Sequence, residues 1–496
     1  MAQNRIMTIS STPDSNAIPG EDFVHPNTWY NQDFNGYRVT EHPLYTKRHL
    51  RIVCVGAGAT GLQIAYKAER ILKNVDLQIY EKNHDVGGTW LENRYPGCTC
   101  DIPSHSYQFT WHRNPKWSHF YSSSPEIWQY FKDVSTTYNL EKYVQFKTSV
   151  DSATWDEESG KWTLSVLGPD GKVFSDTCDI LISGSGVLNS WKYPAIPGLE
   201  IFQGKLMHSA KWDDSYDLTN KRVAVIGGGS SAVQIIPSIQ PKVKKLIPFL
   251  RSPVWVTTGF GAKYAGPGGT NFKYSEDQIN HFQDKQGDYT KYWVVDDTGV
   301  EHEVDVVVCA TGFDTSFTPH FKVVGRHGAN IQDQFGDFPV GYLGIMARNF
   351  PNFFLFIGPN GPASHSSILP ILEWYTRYAF QIIEKVQTEN IKAFEPKEKC
   401  IRDLYDHTHE LMKRLVWSSP CRSWFKNGKI HGPVTAIYPG SRLHFFELLK
   451  NVRYEDFDIS YRTGNTYQFM GNGYTDCEIS PDGDPVWYFD DPFTQV

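Results

Sequence analysis

Six residues, Gly56-Ala57-Gly58-Ala59-Thr60-Gly61, make a G-x-G-x-x-G turn, and Glu81 follows Gly61 by twenty positions. In such a turn the first glycine permits the bend. The second lets a pyrophosphate reach the backbone, and the third lets helix and strand pack closely. The helix that opens there offers unpaired N–H groups and a partial positive charge to phosphate oxygens. A carboxylate at the spacing of Glu81 binds a ribose hydroxyl and disfavours an extra phosphate on that ribose. The turn is therefore expected to hold FAD or NAD. The alternative is a glycine turn that serves helix packing alone.

A second turn, Gly227-Gly228-Gly229-Ser230-Ser231-Ala232, repeats the device as G-x-G-x-x-A. Here the residues at the end of the next strand are Arg251 and Ser252, with no acid. A cation at that place accommodates a 2′-phosphate, and a guanidinium can grip it with two parallel hydrogen bonds. The reading is NADPH in preference to NADH; the alternative is that Arg251 is a solvated strand-end charge. Two dinucleotides on one chain invite hydride transfer from a nicotinamide to a flavin.

The elements that must position these residues follow from pattern. LRIVCV reads as a strand, GLQIAYKAERILK as a helix with apolar residues at helical spacing, and VDLQIYEK as a second strand. Strand, glycine turn, helix, strand is a βαβ unit. RVAVI, SSAVQIIPSIQ and KKLIPFLRS repeat that order. Between the units, SATWDEESGKWTLSVLG reads as a hairpin turning at Gly160, and DILISGSGVL as a buried strand. VDVVVCATGF and NFFLFIGP are further strands, followed by helices expected around 369–388 and 401–417. The fold expected is α/β, with two Rossmann-like dinucleotide-binding domains in a layered ββα/βαβ arrangement. The expected division is an irregular arm at 1–48, a first nucleotide domain at 49–200 resuming at 304–454, a second at 201–303, and a tail at 455–496. The arm's aromatics, Trp29, Tyr30 and Phe34 among them, suggest packing against a partner domain; the alternative is a loose tail.

Composition narrows the class. The chain has 496 residues, 40% hydrophobic and 15% aromatic, which is enough apolar surface for several cores. Net charge is −7 without a basic block, so a nucleic-acid role has no electrostatic footprint. The eight cysteines are dispersed. Cys98 and Cys100 lack the second pair a zinc site needs, so no metal is expected. Thinly spread cysteines, no apolar signal core and no run of about 20 apolar residues give the expectation of a cytoplasmic protein without a membrane span. Oligomeric state stays open.

Residues 87–101, GGTWLENRYPGCTCD, place Gly87, Gly88, Trp90, Tyr95, Pro96, Gly97 and Asp101 in the pattern (A/G)-G-x-W-x4-(F/Y)-P-(G/M)-x3-D. FQGKLMHSAKWD places Phe202, Gly204, His208, Trp212 and Asp213 in F-x-G-x3-H-x3-W-(P/D). Ala310-Thr311-Gly312-Phe313 matches a third shared element, A-T-G-(F/Y). With the glycine turns, in this order, the chain resembles the class B flavoprotein monooxygenases. In detail it resembles the Baeyer–Villiger monooxygenases, from about residue 30 to the end and most of all the fungal enzymes of secondary-metabolite ketones and polyketides.

The resemblance implies residue roles. Gly56, Gly58, Gly61 and Glu81 hold the ADP half of FAD, while Thr89, Trp90, Asp101, Ile102 and Tyr107 line its flavin half. Thr99, Cys100 and Asp101 touch the nicotinamide side. Gly227, Gly229, Ser230, Ser231, Ala232, Arg251 and Ser252 hold NADPH. Phe202, Gly204, His208, Trp212 and Asp213 form a conformational link between domains, and Trp424 and Asn427 belong to a segment that closes over cofactor and substrate. The implied activity consumes NADPH and inserts one atom of O2 next to a ketone, giving an ester or lactone. Asp101 implies a partner arginine, the family's electrostatic catalyst. The stretch that carries that arginine is absent between Arg251 and Cys309, where the only other cations are Lys263, Lys273, Lys285 and Lys291. Two further readings therefore stay open: a heteroatom- or carbon-hydroxylating or uncoupled NADPH-oxidising flavoenzyme, and a catalytically impaired cofactor-binding relative.

Overall fold

The computed structural model describes residues 26–250, 265, 305–363 and 366–489. A five-stranded sheet runs in the order Phe353–Leu355, Ile180–Ser183, Leu50–Val55, Val75–Tyr80, Val144–Gln145, with every neighbouring pair parallel. Alternate side chains of its strands enter two different cores. Ile52, Cys54, Ile79 and Ile182 pack with Leu62 and Ala65 of the helix Ala59–Ile71, Phe131 of the helix Ser124–Thr137 and Ile382 of the helix Ile368–Thr388. Val53, Tyr80, Leu181 and Phe353 pack with Trp155, Trp162 and Leu164 of a four-stranded sheet, ordered Lys322–Val324, Ser149–Asp156, Lys161–Leu167, Val173–Cys178. Burial on both faces explains the unbroken apolar runs. The result is three layers, helices on sheet on sheet, with the expected hairpin turning at Gly160 (φ +64°).

The second parallel sheet has the order Lys245–Phe249, Arg222–Ile226, Val306–Cys309, Lys205–His208. Val223, Val225, Val306 and Val308 pack against Ala232, Ile235 and Ile239 of the helix Ser230–Ile239. Two nucleotide-binding βαβ units in one chain are thus present. The strand Val306–Cys309 does not begin the return of the first domain at 304: it pairs between Arg222–Ile226 and Lys205–His208 and completes the second sheet.

Two further boundaries differ from expectation. The helix read near 401–417 spans Glu398–Met412, and a separate single turn, Val416–Ser418, follows it. The tail expected from 455 begins later, because Phe457–Tyr461 pairs antiparallel with Ile391–Pro396. Among the described residues, 26–44 and 465–489 form one unit, and those between 45 and 464 the other. Within the smaller unit the arm meets the tail: the Leu44 N–H donates to the Tyr474 carbonyl at 2.7 Å, and the Asn472 N–H to His42 at 2.9 Å. Trp29 packs edge-on to Tyr30 at 4.9 Å, and both rings stay exposed. The pairing of arm and tail had no sequence signal, since neither stretch is periodic.

Candidate functional site

The first turn is a strip of bare backbone. An ideal Cβ on Gly61 would lie 2.2 Å from the Gly56 carbonyl oxygen, and one on Gly56 (φ +106°) would lie 2.7 Å from that of Gly184. Gly58 and Gly88 approach each other so closely that a Cβ on Gly88 would meet the Gly58 Cα at 3.1 Å. The Gly87 N–H donates to the Ala57 carbonyl at 3.2 Å, so the G-G-T-W segment is hooked to the turn. Gly58 heads the helix Ala59–Ile71 without any side-chain cap, leaving its first N–H groups free for an anion.

Glu81 follows the neighbouring strand and is buried, 3% exposed. Its Oε2 accepts the Ala57 N–H at 2.7 Å and its Oε1 the Asn83 N–H at 2.8 Å, so the carboxylate is pinned beside the turn with a lone pair left on each oxygen. These residues fit the ADP half of a dinucleotide. Burial pushes the Glu81 pKa up, against the pull of those two N–H groups. A raised carboxyl pKa favours the fold at low pH, and that contribution is lost as pH rises through the folded value. Ribose binding needs the opposite, an ionised acceptor. Flavin retention is therefore expected to drop on acidification above the usual carboxylate range. Released flavin fluorescence against pH reads the step, and Glu81→Gln should remove it.

The second turn copies the first. The Gly227 N–H donates to Phe249 at 3.1 Å, as the Gly56 N–H donates to Tyr80 at 2.8 Å. A Cβ on Gly227 would meet the Ala310 carbonyl at 2.2 Å, while Gly229 faces open space. The repeated contact gives the A-T-G-F element a place: Ala310 backs this glycine turn as Gly184 backs the first. Gly229 heads the helix Ser230–Ile239 without a side-chain cap, Ser230 is exposed, and Ala232 is buried against the sheet. A nucleotide fits here too. Arg251, Ser252, Lys263, Lys273, Lys285 and Lys291 lie outside the described residues.

The segment from Gly87 to Tyr107 joins the two turns. Trp90 donates from Nε1 to the Tyr107 hydroxyl at 3.1 Å, ring against ring at 82°. Thr89 is exposed, and Ile102 packs partly on the first core. Cys100 turns its thiol into that core, and its N–H donates to Ser122 at 3.0 Å. That side chain is buried, and burial raises its pKa. Asp101 is exposed, and its carboxylate makes no hydrogen bond or ion pair with any described residue. Its charge is felt nearby: Tyr121 is pushed up to about 12, by burial first and by Asp101 second.

Sequence reasoning missed Gln234, which faces this segment from the second helix. Its Nε2 donates to the Thr99 carbonyl at 2.9 Å and Oγ1 at 3.1 Å, and the Tyr95 hydroxyl donates to its Oε1 at 3.0 Å. The signal was in the register: Gln63 and Gln234 both stand two residues beyond the third small residue of their turns.

In the fingerprint, Gly204 gives room for the Phe202 ring, which a Cβ would meet at 2.5 Å. Trp212 packs on the core between the second parallel sheet and its helix. Asp213 pairs with Lys205, which with Ser215 holds its carboxyl at about 2. His208 is fully buried and stacks on Trp191 at 4.4 Å, another residue the sequence did not single out. Its Nδ1 accepts the Ala210 N–H at 3.1 Å, which assigns the proton to Nε2, 3.3 Å from Thr311 Oγ1. Burial lowers its pKa from 6.5 to about 4. The unfolded chain then binds the proton more tightly, so this contribution to stability is present above pH 6.5 and lost as pH falls toward 4. Denaturant midpoints measured across that window should fall in the native chain, and His208→Asn should flatten the slope.

Trp424 is exposed on a short turn that ends at Asn427, φ +50°. Between them Lys426 is buried, donating to the Ser419 and Ile430 carbonyls at 2.5 and 2.9 Å. Among the described residues no cluster of His, Cys, Asp and Glu could hold a metal ion, and no helix is long and apolar enough to cross a membrane.

Comparison with known proteins agrees with this geometry. Residues 47–264 match the family described as flavin-binding monooxygenase-like. The FAD-binding monooxygenase tazF of Aspergillus terreus is 38% identical over 537 aligned residues, covering 90% of this chain and 95% of that protein. The FAD-binding monooxygenase stcW of Emericella nidulans is 32% identical over 559, covering 91% and 92%. A Baeyer-Villiger monooxygenase of Streptomyces coelicolor is 29% identical over 489, covering 83% and 93%. The alignments of 537 and 559 positions outrun the 496 residues of this chain, so those two relatives carry residues without a counterpart here. Cyclohexanone monooxygenase in its closed crystal form superposes with a TM-score of 0.68 at 23% identity, covering 84% of this chain and all of that one, which speaks for the fold. Fold, paired glycine turns and the alignments together place the chain in the flavin-binding monooxygenase-like family, as an FAD-binding monooxygenase of the Baeyer–Villiger type.

Proposed function

We propose that this chain uses NADPH and O2 to insert one oxygen atom beside the carbonyl of a small-molecule ketone, giving an ester or lactone, in fungal secondary metabolism of the polyketide kind. The observation that carries the reading is the pair of uncapped glycine turns joined by the one segment that bears Asp101. FAD, when bound, supplies the ring that takes hydride from NADPH and passes electrons to O2. The chain's own residues do the rest. Gly56, Gly58, Gly61 and Gly88 leave backbone bare for the pyrophosphate, and Glu81 accepts from the ribose. Gly227, Gly229, Ser230 and Ser231 receive the second nucleotide, with Arg251 and Ser252 at its 2′-phosphate. Trp90, Ile102 and Tyr107 wall the flavin side and keep water from it. Asp101 sits at the nicotinamide side, poised to orient a cation. His208 and Trp212 couple the domains, and Trp424 with Asn427 closes the site.

One observation favours a second reading, NADPH oxidation without oxygen transfer. Oxygen insertion builds negative charge on the substrate oxygen, and a single positioned donor there contributes about 3–4 kcal/mol. Asp101 has no cationic partner among the described residues, and the family's arginine stretch is missing from the sequence. The test is anaerobic bleaching of the FAD-loaded chain by NADPH, followed by aerobic turnover with cyclic and aryl ketones under labelled O2. An ester carrying one labelled atom supports insertion. Stoichiometric hydrogen peroxide without ester supports the second reading, and a chain that takes up no FAD overturns both.

A further inference from the structure

Glutamines in the same register on the two nucleotide helices hold different stretches, Gln234 the segment that carries Asp101 and Gln63 the residues just after it. From the first helix, Gln63 Oε1 accepts the Trp111 Nε1–H at 2.7 Å. From the second, Gln234 takes three bonds, with the Tyr95 hydroxyl, the Thr99 carbonyl and the Thr99 hydroxyl. The loop lies flat on that helix: Gly97 has φ +81°, and a Cβ there would fall 2.1 Å from Ser238 Oγ and 2.6 Å from the Gln234 carbonyl. On its other side the same loop is bonded to the start of the helix Ser124–Thr137. The Ser124 N–H donates to Cys98 at 2.8 Å, the Cys100 N–H to Ser122 at 3.0 Å, and Ser124 Oγ reaches the Trp90 carbonyl at 2.9 Å. A shift of the second helix therefore acts on Thr99, and through two peptide units on Asp101.

We infer that Gln234 is a positioning residue that couples occupation of the second glycine turn to the placement of Thr99–Asp101 beside the flavin. The inference rests on the proposed seat of NADPH at that turn. Gln234 stands one helical turn beyond Ser230 and Ser231, on the helix whose N-terminus receives the nucleotide phosphates. A nucleotide that draws this N-terminus inward moves the amide of Gln234 with it, and the three bonds carry the loop along. Coupling of this kind is reciprocal: the loop's position feeds back on nucleotide affinity by the same factor. Two anchor types share the work. The Tyr95 bond is side chain to side chain and can be deleted by Tyr95→Phe, whereas the Thr99 carbonyl bond needs the amide donor itself.

The test is hydrogen–deuterium exchange of the FAD-loaded full chain, with and without NADP+, read on peptides spanning 95–101. In the native chain NADP+ should slow exchange there. Gln234→Met keeps the length and loses all three bonds; it should cut that NADP+-dependent protection at least about threefold. FAD content should stay unchanged, and the rate of flavin reduction at saturating NADPH should fall more than the KM for NADPH rises. Tyr95→Phe should lose part of the protection, and Gln63→Met, on the first helix, should lose none. Equal protection in Gln234→Met and the native chain overturns the coupling. So does absence of protection in the native chain, or loss of it in Gln63→Met as well. A chain that shows the protection but makes no ester sinks the proposed reaction and leaves the coupling standing.

Discussion

Gly58→Ala should yield a folded, colourless protein, whereas Gly61→Ala should be unstable before flavin binding is ever tested. The two glycines lie three residues apart in one turn, yet the space around them differs. At Gly61 a methyl would sit 2.2 Å from the Gly56 carbonyl oxygen, inside the turn that joins strand to helix. Neither partner is a flexible side chain, so helix and strand must separate, at an overpacking cost of about 1–3 kcal/mol or more. At Gly58 the backbone is φ −76°, open to any L-residue, and the nearest atom to a Cβ is the Gly88 Cα at 3.4 Å, an ordinary contact. The fold tolerates that methyl. The pyrophosphate is not expected to, because the methyl stands on the backbone that the second glycine of such a turn leaves bare for it. The expected loss of FAD affinity is about ten- to a hundredfold, the same 1–3 kcal/mol expressed on the ligand. Thermal melts of the flavin-free proteins with FAD titrations separate the two effects. A normal melt for Gly61→Ala, or native flavin affinity for Gly58→Ala, would contradict this division of labour.

The contrast also marks how far sequence carries. Both βαβ units, their order and the helix after each turn were legible, because glycines bounded by apolar strands report a local requirement of the backbone. What failed was non-local. Val306–Cys309 reads as a buried strand whichever sheet it joins, and only its pairing with Arg222–Ile226 and Lys205–His208 assigns it to the second. The pairing of Phe457–Tyr461 with Ile391–Pro396 crosses some sixty residues that carry no register signal. At the site, the placing of Glu81 beside the first glycine turn was legible from spacing. Trp191, which stacks on His208, was not, since a tryptophan in an irregular linker has no period. Cys100 belonged to the right motif but faces the core. A motif fixes which backbone is present, and the core decides which of its side chains remain outward.

The selectivity between nicotinamide nucleotides should rest on Arg251, and the register of the second sheet supplies the reason. In the first unit Tyr80 closes its strand and Glu81 follows; Gly56 bonds to Tyr80. In the second, Gly227 bonds to Phe249, which closes the strand Lys245–Phe249, so the place of Glu81 is taken by Leu250, an apolar and exposed side chain. No carboxylate stands there to accept ribose hydroxyls or to repel a phosphate on them, and Arg251 comes next in the sequence. Charge-assisted hydrogen bonds from a guanidinium to phosphate are worth about 1.5–3 kcal/mol. Arg251→Ala should therefore raise the KM for NADPH by about ten- to a hundredfold while leaving that for NADH within about twofold. Stopped-flow flavin reduction with each nucleotide gives both numbers. Leu250→Glu should act in the same direction by a different route, placing a like charge beside the 2′-phosphate and supplying the ribose acceptor that NADH requires. Equal changes for both nucleotides in Arg251→Ala would show that the 2′-phosphate is held elsewhere, and an unaltered preference in Leu250→Glu would show that the correspondence with Glu81 does not extend to the ligand.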